Sequence, residues 1–143
     1  MTDLPPASST TEPRKKCVLV LDDSLIALEF TCDALEAAGF SVLAASHPDE
    51  LAQHFAGGTP IDLVILDVQM PDVLGDTLAK GLRSQRGGGV PILLCSGHDE
   101  AKLAERARDA AVDGYISKQA GLDAMIARVR HILHASDADA ART

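Results

Sequence analysis

No stretch of this sequence approaches the roughly 20 consecutive apolar residues that span a bilayer, and its N-terminus has no apolar core of the kind a secretory signal carries. Basic residues are also scarce. Thirteen Lys and Arg face 21 Asp and Glu, a net charge of −8, which is the wrong sign for a surface that tracks nucleic-acid phosphates. Three cysteines without Cys-x-x-Cys spacing do not build a disulfide or zinc framework. Cys17, Cys32 and Cys95 lie in apolar stretches and read as small core residues. Nor is Gly87-Gly88-Gly89 a phosphate-binding loop, because no strand precedes it and no Lys-Ser or Lys-Thr pair follows in the required place. These absences point to a reduced, cytoplasmic protein with no membrane segment and no direct hold on nucleic acid.

What is present is the balance of one globular domain: 143 residues, 46% apolar and 24% charged. Residues 1–16, with Pro5, Pro6, Pro13 and the Ser8-Ser9-Thr10-Thr11 run, read as a flexible leader. Residues 135–143 are small and polar and read as a flexible tail. The leader's single excess positive charge cancels the tail's single excess negative charge, so the acidity belongs to the body between, residues 17–134.

Within that body short apolar runs alternate with helical spacing. Cys17–Leu21, Val42–Ala45, Leu63–Leu66, Pro91–Cys95 and Gly114–Ile116 read as strands. Ser24 is placed to cap a helix in which Leu25, Leu28, Cys32 and Leu35 recur before Gly39 ends it. A short helix is expected from about Pro48 to Phe55, and Leu74, Leu78 and Leu82 stripe another. An alanine-rich helix follows the fourth strand, and Leu122, Met125, Ile126, Val129 and Leu133 give the last helix the clearest stripe. His131 and His134 are expected near that helix's C-terminal end, facing its dipole, and His47 and His54 are expected to be solvated. Five strands alternating with five helices imply an α/β, doubly wound parallel sheet, and the flavodoxin-like order 2-1-3-4-5 is common at this size. In such a sheet ligands bind beyond the carboxyl ends of the strands.

Those ends carry chemistry. The first strand runs into Asp22-Asp23, the third into Asp67, the fourth into Ser96 and the fifth into Lys118. One aspartate after a strand is ordinarily a turn or cap residue. Three carboxylates converging on one crevice repel each other unless a cation joins them, and a few hard oxygen ligands suit Mg²⁺. A lysine and a hydroxyl facing such a metal form a clamp for a phosphoryl group.

The segments Val20-Leu21-Asp22-Asp23-Ser24, Leu66-Asp67-Val68-Gln69-Met70-Pro71 with Gly75 beyond, Leu94-Cys95-Ser96-Gly97 and Gly114-Tyr115-Ile116-Ser117-Lys118 resemble the receiver domain of two-component response regulators over about residues 17–134. The resemblance implies that Asp67 accepts a phosphoryl group from a sensor histidine kinase or a histidine phosphotransfer protein. It implies a Mg²⁺ site formed by Asp23, Asp67 and the Gln69 carbonyl, with Asp22 contributing directly or through water. Ser96 and Lys118 would meet the phosphoryl oxygens, and Tyr115 would turn inward when Ser96 moves. Gln69 and His98 occupy the positions that tune dephosphorylation. Such a domain is a signalling module rather than an enzyme in its own right. Its output would pass to a downstream protein docked on the fourth helix, fifth strand and fifth helix, where Ala101, Ala104, Ala107, Ala110 and Ala111 around Leu103 leave the fourth helix thinly anchored.

Two other functions compete: a receiver-like docking module that works without phosphorylation, and a haloacid-dehalogenase-like phosphatase. The phosphatase needs a second carboxylate two residues after its nucleophile, and Ser24 holds that place after Asp22. One departure from the family pattern has a structural consequence. Gln119 follows Lys118, where the family commonly has a proline behind a cis peptide. A cis bond before a non-proline residue costs about 2.5–4 kcal/mol, against about 0.5–1 before proline. The sequence therefore predicts a trans Lys118–Gln119 bond, with Gly121 supplying another way to turn.

Overall fold

The computed structural model describes residues 15–58, 60–67, 90–97 and 113–142, with side chains as far as residue 135. Runs of Val, Leu and Ile without polar interruption become strands covered on both faces. β1 (Cys17–Leu21) is buried at every position. β2 (Ser41–Ala45) is buried only at its last residue. β3 (Leu63–Asp67) and β4 (Ile92–Ser96) are buried throughout, and β5 (Gly114–Ser117) is mostly half-buried. Burial follows position. The five strands form one parallel sheet in the order β2-β1-β3-β4-β5, so the partly covered strands are its two edges. This is the doubly wound order expected from the alternation of elements.

Three helices lie among the described residues: α1 (Leu25–Ala37), α2 (Pro48–Ala56) and α3 (Leu122–Arg142). The helices expected after β3 and β4, with Leu74, Leu78, Leu82 and the alanine series around Leu103, lie outside the described residues, as do residues 1–14 of the expected leader. Alternate strand residues point to opposite faces. Leu19, Leu21, Val64, Leu66, Ile92 and Leu94 pack on one side with Leu51 of α2. Val18, Val20, Leu63, Ile65, Leu93 and Cys95 pack on the other with Leu28 and Leu35 of α1 and Met125, Val129 and Ile132 of α3. β5 sits close beneath α3: a Cβ added at Gly114 would lie 3.0 Å from Ile132 Cδ1.

The ends of α1 follow from single residues. The Ser24 hydroxyl accepts from the Ala27 N–H at 3.3 Å and caps the start. At the other end Gly39 takes φ 101°, a conformation open to glycine. The Gly39 and Phe40 N–H groups then donate back to the Glu36 and Leu35 carbonyls. Arg130 of α3 fixes this end, donating to the Ala38 carbonyl at 3.0 Å and lying 5.8 Å from the centre of the Phe40 ring.

The structure corrects three expectations. Leu25 is not part of the buried stripe of α1 but 68% exposed, and Thr31 is buried. The core-facing line runs Leu28, Thr31, Leu35, because Leu25 starts the helix beyond the end of the sheet. The last helix does not end near residue 134 but runs to Arg142. Ala135, Ala138, Ala140 and Ala141 are small enough to read as tail, yet alanine is the strongest helix former. His131 and His134 therefore lie within α3 rather than in its last turn. His47 is exposed, as expected, with its Nδ1 accepting from the Asp49 N–H to cap α2, and His54 is half-buried with its ring meeting the Ala44 carbonyl at 2.9 Å.

The amino ends of the sheet are clamped by carboxylates. Asp62 donates its N–H to the Cys17 carbonyl at 2.8 Å and accepts the Cys17 N–H on Oδ2 at 2.7 Å. Asp113 accepts the Ile92 N–H at 2.8 Å. An Asp62→Ala variant should lose about 1.5–3 kcal/mol, the range for a hydrogen bond to a charged group. Urea unfolding should show this as a lower midpoint with an unchanged slope.

Candidate functional site

The opposite, carboxyl ends of the strands gather the charged residues. Asp22 follows β1 and is 4% exposed. Its Oδ1 accepts from the Ser24 N–H at 2.9 Å, which aims the carboxylate across the strand ends. Asp67 closes β3 and is equally buried, while Asp23 is exposed. These three carboxylates each present an oxygen within 4.8 Å of the others.

Lys118 enters from the far edge. It begins the short 3-10 turn Lys118–Ala120 directly after β5, started by the Ser117 hydroxyl accepting from the Gln119 N–H at 3.1 Å. Its Nζ lies 3.0 Å from Asp22 Oδ2 and 3.4 Å from Asp67 Oδ2. The described residues contain no cis peptide, so the Lys118–Gln119 bond is trans, and the chain turns instead at Gly121 with φ 94°. The lysine reaches both carboxylates from that trans path.

The electrostatics are set by burial and pairing. Burial alone would lower the Lys118 pKa. The Asp22 hydrogen bond and the charges of Asp67 and Asp22 outweigh it and hold the ammonium above its ordinary range. Cys95 sits beside Asp67 in the sheet. Burial, opposed by Lys118 and reinforced by Asp67 and Asp22, pushes its thiol up to about 12. It stays protonated at neutral pH and is no rival nucleophile.

Ser96, at the end of β4, is fully buried and level with Ser117 of β5. Tyr115 is half-buried and packs against the core on the α2 side, and its carbonyl accepts from Arg128 at 2.7 Å. Gln69 and His98 lie outside the described residues. The structure thus brings together Asp22, Asp23, Asp67 and Lys118, and places Ser96 and Tyr115 on the neighbouring strands. Two features escaped the sequence. Leu25, Ile26 and Phe30 are 62–70% exposed on α1; Ile26 and Phe30 are spaced four apart off the buried stripe, a signal that was readable. Thr31 had no such signal, since a threonine among apolar residues does not announce that it faces inward.

The donor set fits a hard divalent cation: three carboxylates, two of them buried, cost less together once such an ion neutralises them. Asp22, Asp23 and Asp67 would hold Mg²⁺ here.

The family model described as the response regulator receiver domain matches residues 18–130. The response regulator MprA of Mycobacterium sp. (strain KMS) is 33% identical over 122 residues, 85% of this chain and 52% of that protein. The transcriptional regulatory protein KdpE of Mycobacterium tuberculosis is 34% identical over 113 residues, 79% of this chain and 49% of that protein. The chain spans about half the length of these curated relatives. A CheY-like receiver domain protein from Methanospirillum hungatei has a similar structure, with a TM-score of 0.77 at 21% identity, covering 88% of this chain and 99% of that one. No helix among the described residues is long and apolar enough to cross a membrane.

Two measurements probe the site. Asp23→Ala should weaken Mg²⁺ binding roughly tenfold or more, since even the supporting partners of metal ligands cost that much. It should also leave the metal-free fold at least as stable, because one repelling charge is gone. The Lys118 contact gives a pH signature. A lysine whose folded pKa is raised contributes stability that is complete below its ordinary value of 10.5 and lost as pH rises through the folded value. The stability gap between wild type and Lys118→Met should therefore be flat from pH 7 to about pH 10 and close above that, in denaturant titrations at each pH.

Proposed function

The chain belongs to the family of response regulator receiver domains, and from that premise we propose that Asp67 is its phosphoacceptor. The observation that carries this is the pairing of a buried carboxylate at the end of the central strand with the Lys118 ammonium 3.4 Å away and two further aspartates alongside. A carboxylate is a competent nucleophile toward phosphorus when the charge of the incoming group is neutralised. An Asp67 oxygen forms the new P–O bond while the P–N bond of a phosphohistidine breaks, and the imidazole nitrogen keeps the electron pair. Transfer of this kind runs through a loose transition state, so positioning and charge do most of the catalysis. Lys118, already held beside Asp67, meets the phosphoryl oxygens. The Ser96 hydroxyl and the Gln69 carbonyl complete the set of groups assigned to phosphoryl and metal, and Gln69 and His98 tune the lifetime of the product. Mg²⁺, when bound, supplies neutralisation of the carboxylates and of the arriving phosphoryl group.

The donor would be a sensor histidine kinase or a histidine phosphotransfer protein in the cytoplasm. Asp67 is almost wholly buried, so a phosphoryl group carried on a protein needs a surface to seat against close by. Leu25, Ile26 and Phe30 provide one, directly following the Asp22-Asp23-Ser24 turn. The signal would leave through a downstream protein on the face that includes β5 and Tyr115. The Ser24 hydroxyl is engaged in capping α1, which leaves nothing in place of the second carboxylate that a haloacid-dehalogenase-like phosphatase requires.

Incubation with acetyl phosphate and Mg²⁺ should add one acid-stable, base-labile phosphate per chain, and Asp67→Asn should abolish it. Equal labelling of Asp67→Asn would overturn the assignment. No labelling of the folded wild type would leave the chain a docking module that acts without phosphate.

A further inference from the structure

α1 and α3 pack on the same face of the sheet, and an open groove of about 540 Å³ runs between them. Ala34 and Ala37 of α1 and Ile126 and Ala127 of α3 line it, so its walls are apolar and mostly small. Asp123 and Arg130 of α3 line it as well. These two are seven residues apart, about two helical turns, and so stand on one line of α3. The point midway between them falls between Ile126 and Ala127. Arg130 is already positioned by the Ala38 carbonyl and the Phe40 ring, which leaves it less freedom to lose on binding. Beside the groove on α1, Ile26 and Phe30 are large apolar side chains left in water. The two helices also differ in charge. α1 carries Glu29, Asp33 and Glu36 and no base, whereas α3 as far as residue 135 carries Arg128 and Arg130 against Asp123 alone.

What fits this surface is the surface itself. A two-fold contact brings the same patch of both copies together, so the patch must be its own complement. A half rotation about the point between Ile126 and Ala127 sets α3 antiparallel to a second α3 and exchanges the places of Asp123 and Arg130. Each carboxylate then faces the other copy's guanidinium, with Ile126 and Ala127 between the two pairs. The ridge of each α3 enters the other copy's groove, where the alanines leave room for it. The acidic α1 then runs beside the more basic α3 of the other copy. We propose that two copies of this chain associate through the α1–α3 groove, in an antiparallel two-fold contact closed by reciprocal Asp123–Arg130 pairs. A face only two helices wide belongs to the weak, transient class of interface. The contact makes no use of Asp67 or of a metal, and it stands whether or not the chain accepts phosphate.

The test is sedimentation velocity of the full chain over a concentration series. The mass should move from one chain to two, with Kd between roughly 10 and 500 μM. Asp123→Arg and Arg130→Asp each set like charges against each other at both pairs, and each should raise Kd roughly tenfold or more. Mixed in equal amounts, the two single variants regain opposite charges at both pairs. The mixture should therefore associate roughly tenfold more tightly than either variant alone. This rescue separates a broken contact from a damaged fold, which mixing does not repair. Ala127→Lys, close to the two-fold axis, sets like charge against like charge and should also raise Kd roughly tenfold or more. The proposal is overturned if the wild type is still a single chain at about 1 mM, or if the single variants associate as the wild type does. It is equally overturned if the mixture is no tighter than its components.

Discussion

The repulsion between two nearly buried carboxylates, Asp22 and Asp67, is the constraint around which the carboxyl ends of the sheet are arranged. Charges of one sign taken out of water are tolerated only when paired and hydrogen-bonded. Asp22 meets this condition by dividing its oxygens, one held by the Ser24 N–H and one by Lys118. Asp67 is held by the same ammonium at slightly greater range. The short Ser24 cap, the turn after β5 and the φ of Gly121 all serve to deliver these partners. Burial of the thiol at Cys95 is a by-product of the same packing, and it leaves oxygen as the reactive element of the site.

The sequence made the sheet readable because a parallel sheet covered on both faces has no choice of composition. Cys17–Leu21, Leu63–Leu66 and Pro91–Cys95 are apolar without interruption, and each became a wholly buried strand: the first with the expected bounds, the second one residue longer and the third shifted by one. The site residues were readable for a related reason. Polar residues that end apolar runs must lie at one edge of the sheet, so Asp22, Asp67, Ser96 and Lys118 were bound to be neighbours. What could not be read depends on geometry at single turns. Leu25 matches the periodicity of α1 but begins the helix past the rim of the core. The alanine-rich end of α3 has the composition of a tail and the propensity of a helix, and here the propensity decides. The trans path at Gln119 was accessible because its argument was energetic rather than statistical.

Membership in the receiver family ties this arrangement to signalling, and the curated relatives are about twice as long as the matched region. Those relatives are named as response regulators and transcriptional regulators. In this chain the strand ends form an acidic module, Asp22, Asp23 and Asp67 with Lys118 beside them. α1 joins the two sides of that module. Its first turn is tied to Asp22 through Ser24, its exposed apolar residues face outward, and Thr31 turns inward toward a cavity beside Asp67. One helix therefore touches the outside surface, the acidic cluster and the apolar interior within three turns.

The bond between Lys118 and Asp22 links residues 96 positions apart, and this has a bearing on how the protein is made. A chain emerges from the ribosome amino end first, so β1, β3 and their aspartates leave the exit tunnel well before the strand that carries Lys118. During that interval Asp22 and Asp67 lack the Lys118 ammonium, and the sheet lacks its last edge. Closure of the site is consequently a late event in synthesis, reserved for the moment when β5 and the start of α3 become available. Any product cut short before residue 118 would carry every carboxylate of the cluster without the ammonium that pairs two of them.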